Sequence, residues 1–223
     1  VSRGFVDLSH TIESGMTTYP ELPGPVVCDF LSREASRERY GAGVEFQIGR
    51  IDMVGNTGTY VDAPFHRYAD GADLDGLALA SLADLDAIVV RADPGARAID
   101  RSAFDGLDVR GRAVIVHTGF AEHWRTARYL RENPFLTGEA CAHLADAGAT
   151  LVGIDSVNID DLGDRSRPAH SILLGAGIPI CEHLTGLEQL PPRGARFFAV
   201  PPRIRAFGTF PVRAFAVVSR PGS

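Results

Sequence analysis

One stretch holds the densest run of reactive side chains in the chain: Asn56-Thr57-Gly58-Thr59-Tyr60-Val61-Asp62-Ala63-Pro64-Phe65-His66. Its amide, phenol, carboxylate and imidazole all fall at even positions. Where the backbone is extended, Asn56, Tyr60, Asp62 and His66 therefore point to one face. Gly58 allows close backbone approach, and Pro64 sets the exit from the strand. Such a face can hold a cation and move a proton. It can equally be a polar strand edge whose groups pair with each other.

A second pair is His170 and Glu182, separated by Ser171-Ile172-Leu173-Leu174-Gly175-Ala176-Gly177-Ile178-Pro179-Ile180-Cys181. An imidazole, a helix and turn, then a carboxylate at a strand end can offer two ligands to one ion. A surface histidine beside a capping glutamate has the same spacing. Other candidates carry less. Ser156 and Ser171 lack a G-x-S-x-G context, which argues against a serine hydrolase. Gly175-Ala176-Gly177 lacks the third glycine and ribose-binding acid of a dinucleotide site and reads as a turn. His117, His123, His143 and His183 have no partner evident from spacing, so each reads as an ordinary surface or core histidine.

The elements that must position these groups are short apolar runs bounded by Gly, Pro and Asp. Strands are expected at Phe5–Leu8, Val44–Val54, Ala87–Arg91, Ala113–His117, Thr150–Ile154, Ile178–Cys181, Phe197–Val200 and Val212–Val218. Within Val44–Val54 the apolar phase shifts across Gly49, which suggests a β-bulge there. Gly138–Ala147 has helical spacing, with Thr137 to cap it and Gly148 to end it. Arg101–Gly106 and Leu184–Leu190 read as short helices, and another starts at His170–Leu174. Ser9–Arg37, with prolines and glycines between Gly15 and Pro25, reads as a long irregular arm of the kind that covers a site or a subunit contact. Strands interleaved with few helices mean a mixed α/β domain. With 223 residues, no linker and no internal repeat, residues 1–223 are expected to form one domain.

The formal charge of −6 arises from 22 basic and 28 acidic residues, and the basic ones form no patch that could follow a phosphate backbone. Nucleic acid is not an expected partner. No run of about 18 uncharged apolar residues could span a bilayer, so no membrane span is expected. The first residues do not read as a signal peptide, and Cys28, Cys141 and Cys181 are far apart and odd in number. A reducing, cytoplasmic location without a thiolate metal site is the expectation.

Taken together, the two clusters resemble the cyclase family whose best-known members are bacterial kynurenine formamidases, with isatin hydrolase as a relative. The family signature His-x-Gly-Thr-His-x-Asp-x-Pro-x-His is in frame with Asn56 to His66. Asp7-Leu8-Ser9-His10, Gly15-Met16, Tyr19-Pro20, Thr118-Gly119, Gly153-Ile154-Asp155, Leu173 to Pro179, Glu182-His183-Leu184 and Gly208 to Ala214 follow in the family's order. The resemblance spans nearly the whole chain. It implies a swivelling β/β/α domain with a barrel-like sheet and peripheral helices. It also implies a homodimer or homotetramer in which the arm reaches a neighbour's pocket, and places the segment around His10 near the pocket.

The resemblance further implies that Asp62, His170 and Glu182 are metal ligands and that His66 is a general acid/base. The family's other two metal-binding histidines are Asn56 and Tyr60 here. A neutral amide is a poor zinc donor, and a phenol with a pKa near 10 must first lose its proton. One divalent ion at most, Zn or Mn, is therefore expected, with Asp62, His170 and Glu182 as its three protein ligands. Such an ion acidifies water and polarises a carbonyl, with His66 moving the proton. Three readings stand at this point. One is a single-metal hydrolase opening an amide, formamide or lactone. The second is a secondary-metabolite cyclase with little or no metal, in which Asn56 and Tyr60 donate hydrogen bonds to an oxyanion or enolate. The third is a non-catalytic small-molecule binder, against which the retention of His66 speaks. The substrate is expected to be a small molecule, and Phe65, Tyr68 and Phe210 would suit an aromatic one.

Overall fold

Ala113–His117 alternates Ala113 and Ile115 with Val114 and Val116, and all four side chains are fully buried. A strand apolar on both faces must be covered on both, and this requirement shapes the molecule. A computed structural model describes residues 2–220. Its strands are β1 (Ser2–Asp7), β2 (Val26–Leu31), β3 (Ile48–Asp52), β4 (Tyr60–Asp62), β5 (Leu85–Arg91), β6 (Ala98–Ile99) and β7 (Ala113–His117). They continue with β8 (Phe135–Leu136), β9 (Leu151–Ile154), β10 (Ile180–Glu182), β11 (Arg193–Phe198), β12 (Thr209–Pro211) and β13 (Phe215–Arg220). The α-helices are α1 (Arg33–Ser36), α2 (Gly138–Ala147) and α3 (Pro168–Gly175).

Nine strands form one sheet in the order β1-β13-β11-β5-β7-β9-β10-β4-β12. The β5-β7-β9-β10 segment is parallel, and the flanking pairs are antiparallel. Helices α2 and α3 cover one face through Ala140, Cys141, Leu144, Leu173 and Leu174, packed on Val114, Val152, Ile154 and Ile180. The other face curls on itself around Leu8, Ile115, Leu151, Leu187 and Phe197. The curl follows from connectivity: β12 is one edge of the sheet, β13 lies beside the opposite edge, and only Val212–Ala214 join them. Four Cα steps reach about 14 Å at most, so the two edges must approach each other. This is the mixed α/β architecture with a barrel-like sheet that the resemblance implies.

Helix α2 has the expected limits: the Thr137 hydroxyl accepts from Ala140 N at 3.2 Å, and Gly148 ends the helix at φ 83°. Elsewhere local pattern and structure differ. The expected Val44–Val54 strand is only β3, which pairs with β2 in a two-stranded sheet outside the main one. The register irregularity lies opposite Gly49, but the extra residue is Phe30 on the partner strand. The second half of the Ser9–Arg37 arm is not irregular, since it contains β2 and α1. The expected Val212–Val218 strand is broken at Val212–Ala214 because the chain changes sheet edge there. Arg101–Phe104 and Leu187–Gln189 are single 3₁₀ turns in place of the expected short helices.

The β2–β3 hairpin exposes Val26, Val27, Phe30, Ile48 and Ile51, Phe30 by 72%. No helix among the described residues is long and apolar enough to cross a membrane. In the arm, His10 stacks on Trp124 with ring centroids 4.0 Å apart and planes 6° apart. Its Nε2 is buried without a hydrogen-bond partner, and burial lowers its pKa to about 4. The unfolded chain binds this proton near pH 6.5 and the folded one only near 4. The stabilisation is therefore whole above 6.5 and declines as pH falls toward 4, by about 1.4 kcal/mol per pH unit at most. In denaturant unfolding between pH 7 and 4.5, His10→Phe is expected to lose less stability than wild type. Equal slopes would refute this.

Candidate active site

Strand register assembles the first half of the site. In the antiparallel pairs β10–β4 and β12–β4, Asp62 stands opposite Ile180 and Thr209, while Tyr60 stands opposite Glu182 and Pro211. Val61 between them points into the curled core. Asp62 and Tyr60 thus face the α3 side, where neighbouring strands bring Thr209 and Glu182 within side-chain reach. The Thr209 hydroxyl donates to Asp62 Oδ1. The Tyr60 hydroxyl donates to Glu182 Oε2 at 2.6 Å, and the backbone N–H of Ile159 donates to Glu182 Oε1 at 2.6 Å.

The second half comes from the buried loop that leaves β9 and enters α3. Asp160 accepts from the backbone N–H of Ala169 (2.6 Å) and His170 (3.1 Å), so its carboxylate caps the helix N-terminus. The same carboxylate lies 2.6 Å from His170 Nδ1. Placing the Nδ1 proton on that contact directs Nε2 at the sheet, where it offers a lone pair once its own proton is released. Nε2 lies 3.7 Å from Asp62 Oδ2 and 3.8 Å from Glu182 Oε1. Asp62 Oδ2 is buried and has no hydrogen-bond partner.

Asp62, Glu182 and Asp160 are all fully buried around one histidine. Burial raises Glu182 to about 7, countered by the His170 charge and reinforced by Asp62. Burial alone would lower His170, but the hydrogen bond to Asp160 and the nearby Asp62 and Glu182 carboxylates raise it to about 10. An excess of buried carboxylate, an orphaned oxygen and an imidazole oriented by a second carboxylate fit a divalent cation. Asp62, His66 and His170 offer ligand atoms within 4.8 Å of one another. Glu182 is adjacent to His170, and both its oxygens already accept one hydrogen bond. An ionised carboxylate has about four acceptor positions, so a ligand lone pair remains.

His66 is not on an extended continuation of β4, contrary to the single-face expectation. After Ala63 the chain turns through the 3₁₀ segment Pro64–His66, which folds His66 back over Asp62. Its Nδ1 lies 2.8 Å from Thr209 Oγ1, its Nε2 lies 3.8 Å from Asp62 Oδ1, and 35% of the side chain is exposed. Gly208 lies directly beneath it. A Cβ at residue 208 would come within 2.6 Å of both His66 N and Cα. Gly208→Ala is therefore expected to displace His66 and lower kcat at least tenfold while the chain still folds, checked by turnover alongside circular dichroism.

Asn56 also departs from the single face. It lies in the bend before β4 and is half-buried, and among the described residues its side chain makes no hydrogen bond. Tyr60 is 1% exposed, and its hydroxyl, besides serving Glu182, lies 2.8 Å from that of Tyr19. Burial and the Glu182 charge hold the Tyr60 phenol well above 10. Sequence reasoning missed Asp160, Thr209 and Tyr19 as parts of the site. The only prior signals were the position of Asp160 ahead of the His170 helix and the family-like order of Tyr19-Pro20 and Gly208-Thr209. His183, read as an ordinary histidine, lies fully buried between Tyr129 (3.0 Å) and Tyr19 (3.3 Å) behind Tyr60. His117 does have partners, with Arg91 at 2.7 Å and Asp155 at 3.9 Å. Asp155 in turn ties the Thr118–Gly119 loop through three hydrogen bonds of 2.6–2.8 Å.

Residues 6–161 match the family model described as putative cyclase. The chain belongs to the cyclase family. It is 29% identical over 220 residues to the kynurenine formamidase of Bacillus cytotoxicus, covering 94% of this chain and 95% of that protein. The structure of isatin hydrolase A from Labrenzia aggregata superposes with a TM-score of 0.81 at 22% identity, covering 98% of this chain and 94% of the other. A structure described as a potential metal-dependent hydrolase with cyclase activity superposes with a TM-score of 0.80 at 24% identity, covering 99% and 100%. These likenesses establish the cyclase fold for this chain.

Proposed function

We propose that this cyclase-family member is a cytoplasmic hydrolase that opens an amide, formamide or lactone carbonyl of a small aromatic molecule, using at most one divalent ion. The observation that carries it is the orphaned Asp62 Oδ2 facing His170 Nε2 beside Glu182. Asp62, His170 and Glu182 would hold the ion. When bound, it supplies Lewis acidity to the carbonyl. The chain's own residues do the rest. Asp160 fixes the ring and tautomer of His170. Tyr60 and the Ile159 amide hold the Glu182 carboxylate in place. Thr209 bridges Asp62 and His66, so that His66 Nδ1 is anchored and Nε2 faces the site mouth to take or give a proton. The free cysteines Cys28, Cys141 and Cys181 agree with a reducing compartment.

The metal-poor cyclase reading needs Tyr60 and Asn56 as donors to substrate. The Tyr60 proton is directed at Glu182, so only Asn56 is left to donate, and this favours the hydrolase. The test is hydrolysis of formanilide, an aryl acetamide, isatin and an aryl lactone by protein carrying its measured metal content. Turnover that tracks metal occupancy supports the reading, and metal-independent cyclisation with no hydrolysis would replace it. Homo-oligomerisation is part of the same proposal, supported by the apolar β2–β3 hairpin, which alone buries too little to hold its shape. Sedimentation should show a dimer or tetramer for wild type and a shift toward monomer for Phe30→Asp with Ile51→Asp.

A further inference from the structure

The residue before α3 has an unfavourable backbone, one of six non-glycine residues at positive φ among those described. Arg167 has φ 51° and ψ 58°. A side chain with a Cβ rarely occupies this left-handed region, and a following proline disfavours helical conformations further. Pro168 follows directly. Strain of this kind persists where the surroundings impose it. The Arg167 guanidinium, on a half-buried residue, donates from Nη1 to Asn158 Oδ1 at 3.1 Å. Asn158 in turn donates to the Tyr19 hydroxyl at 3.4 Å, and Tyr19 meets Tyr60. Arg167 thus stands at the start of the polar wall that runs inward to Glu182, and three residues before His170.

Asp164, held below the ordinary carboxyl range chiefly by its bonds to Ser166, also feels the Arg167 charge, but not as an ion pair. Among the described residues no carboxylate lies within 4.0 Å of the guanidinium, although three aspartates are close in sequence. Each is engaged elsewhere: Asp160 caps α3 and orients His170, Asp161 pairs with Arg97 at 3.2 Å, and Asp164 accepts from Ser166 N and Oγ. A guanidinium has five N–H donors, and among the described residues one of them is used. The unused donors form the planar fork that fits a carboxylate in bidentate fashion.

We propose that Arg167 is a specificity-determining residue that recognises a carboxylate on the substrate, away from the carbonyl that is cleaved. The preferred substrates are then anionic amides, formamides or lactones. Cleavage of that carbonyl rests on the hydrolase reading, whereas recognition of the anion does not.

The test uses protein as purified, with metal content measured, and compares binding of benzoate with phthalate, isophthalate and terephthalate by calorimetry. Wild type is expected to bind at least one dicarboxylate tenfold or more tightly than benzoate. Arg167→Asn tolerates the left-handed backbone and removes the charge. It should abolish that preference with metal content unchanged, and Arg167→Lys should retain part of it. A wild type that prefers no dicarboxylate, or a preference that survives in Arg167→Asn, overturns the proposal. Formanilide, which is neutral, separates the two ideas. Hydrolysis of formanilide without dicarboxylate preference refutes only anion recognition. Dicarboxylate preference without hydrolysis of any amide or lactone refutes only the hydrolase reading.

Discussion

His66→Ala is expected to lower kcat by about 10² to 10⁴ while leaving the fold and the metal content of the protein intact. An imidazole within reach of the reacting carbonyl is suited to take and return a proton. His66 is anchored by Thr209 at Nδ1 and reaches the reaction space with Nε2. Its side chain is partly exposed, so its loss should cost little stability. His66→Asn keeps a polar group of smaller volume and should be equally slow. Thr209→Val, which removes the bridge to Asp62 but keeps the imidazole, should lie between wild type and His66→Ala. Turnover by His66→Ala at the wild-type rate with an unchanged pH profile would show that the proton is carried elsewhere. A parallel loss of bound metal would show that His66 is a ligand.

Asp62→Asn is expected to take the protein from about one divalent ion per chain to none, with activity lost alongside. Asp62 brings to the buried site an oxygen that no protein group satisfies. Neutralising it removes the charge that would hold a cation and leaves Glu182 to face His170 alone. Asp160→Asn, one shell further out, should weaken metal binding by about 10- to 100-fold, since it orients His170 without touching the ion. Elemental analysis of protein purified without chelator, followed by zinc titration, measures both. Two tightly bound ions per wild-type chain would contradict the replacement of a second ligand set by Asn56 and Tyr60. Full metal content in Asp62→Asn would move the site elsewhere.

Much of this was legible along the chain because the signals are local. Gly138–Ala147 carries its own cap, periodicity and stop, so helix α2 follows from sequence with its limits. Asp62 and His66 are four residues apart in a run dense in reactive groups, and His170 and Glu182 flank one helix and turn. Resemblance to the cyclase family joined the two clusters and supplied the barrel-like α/β architecture. Other features depend on which strands become neighbours, and apolar phase does not encode that. The segment Val44–Val54 has the alternation of a buried strand, yet only Ile48–Asp52 is β-structure, because its apolar side chains have no core to meet. Val212–Val218 reads as one strand, but it breaks where the chain must pass from one sheet edge to the other. Even spacing would align Asn56, Tyr60, Asp62 and His66. The strand covers Tyr60–Asp62, the backbone stays extended as far as Ala63, and a 3₁₀ turn then brings His66 back. Tyr60 meets Glu182, and Thr209 meets Asp62, only through cross-strand register set by residues more than a hundred positions apart. Residue types and spacing gave the family and, through the resemblance, the candidate ligands and the departures at Asn56 and Tyr60. Tertiary packing set the contacts of Tyr60 with Glu182 and of Asp160 with both α3 and His170, and left Arg167 beside them with no carboxylate within 4.0 Å among the described residues, because those distances arise only from long-range contacts.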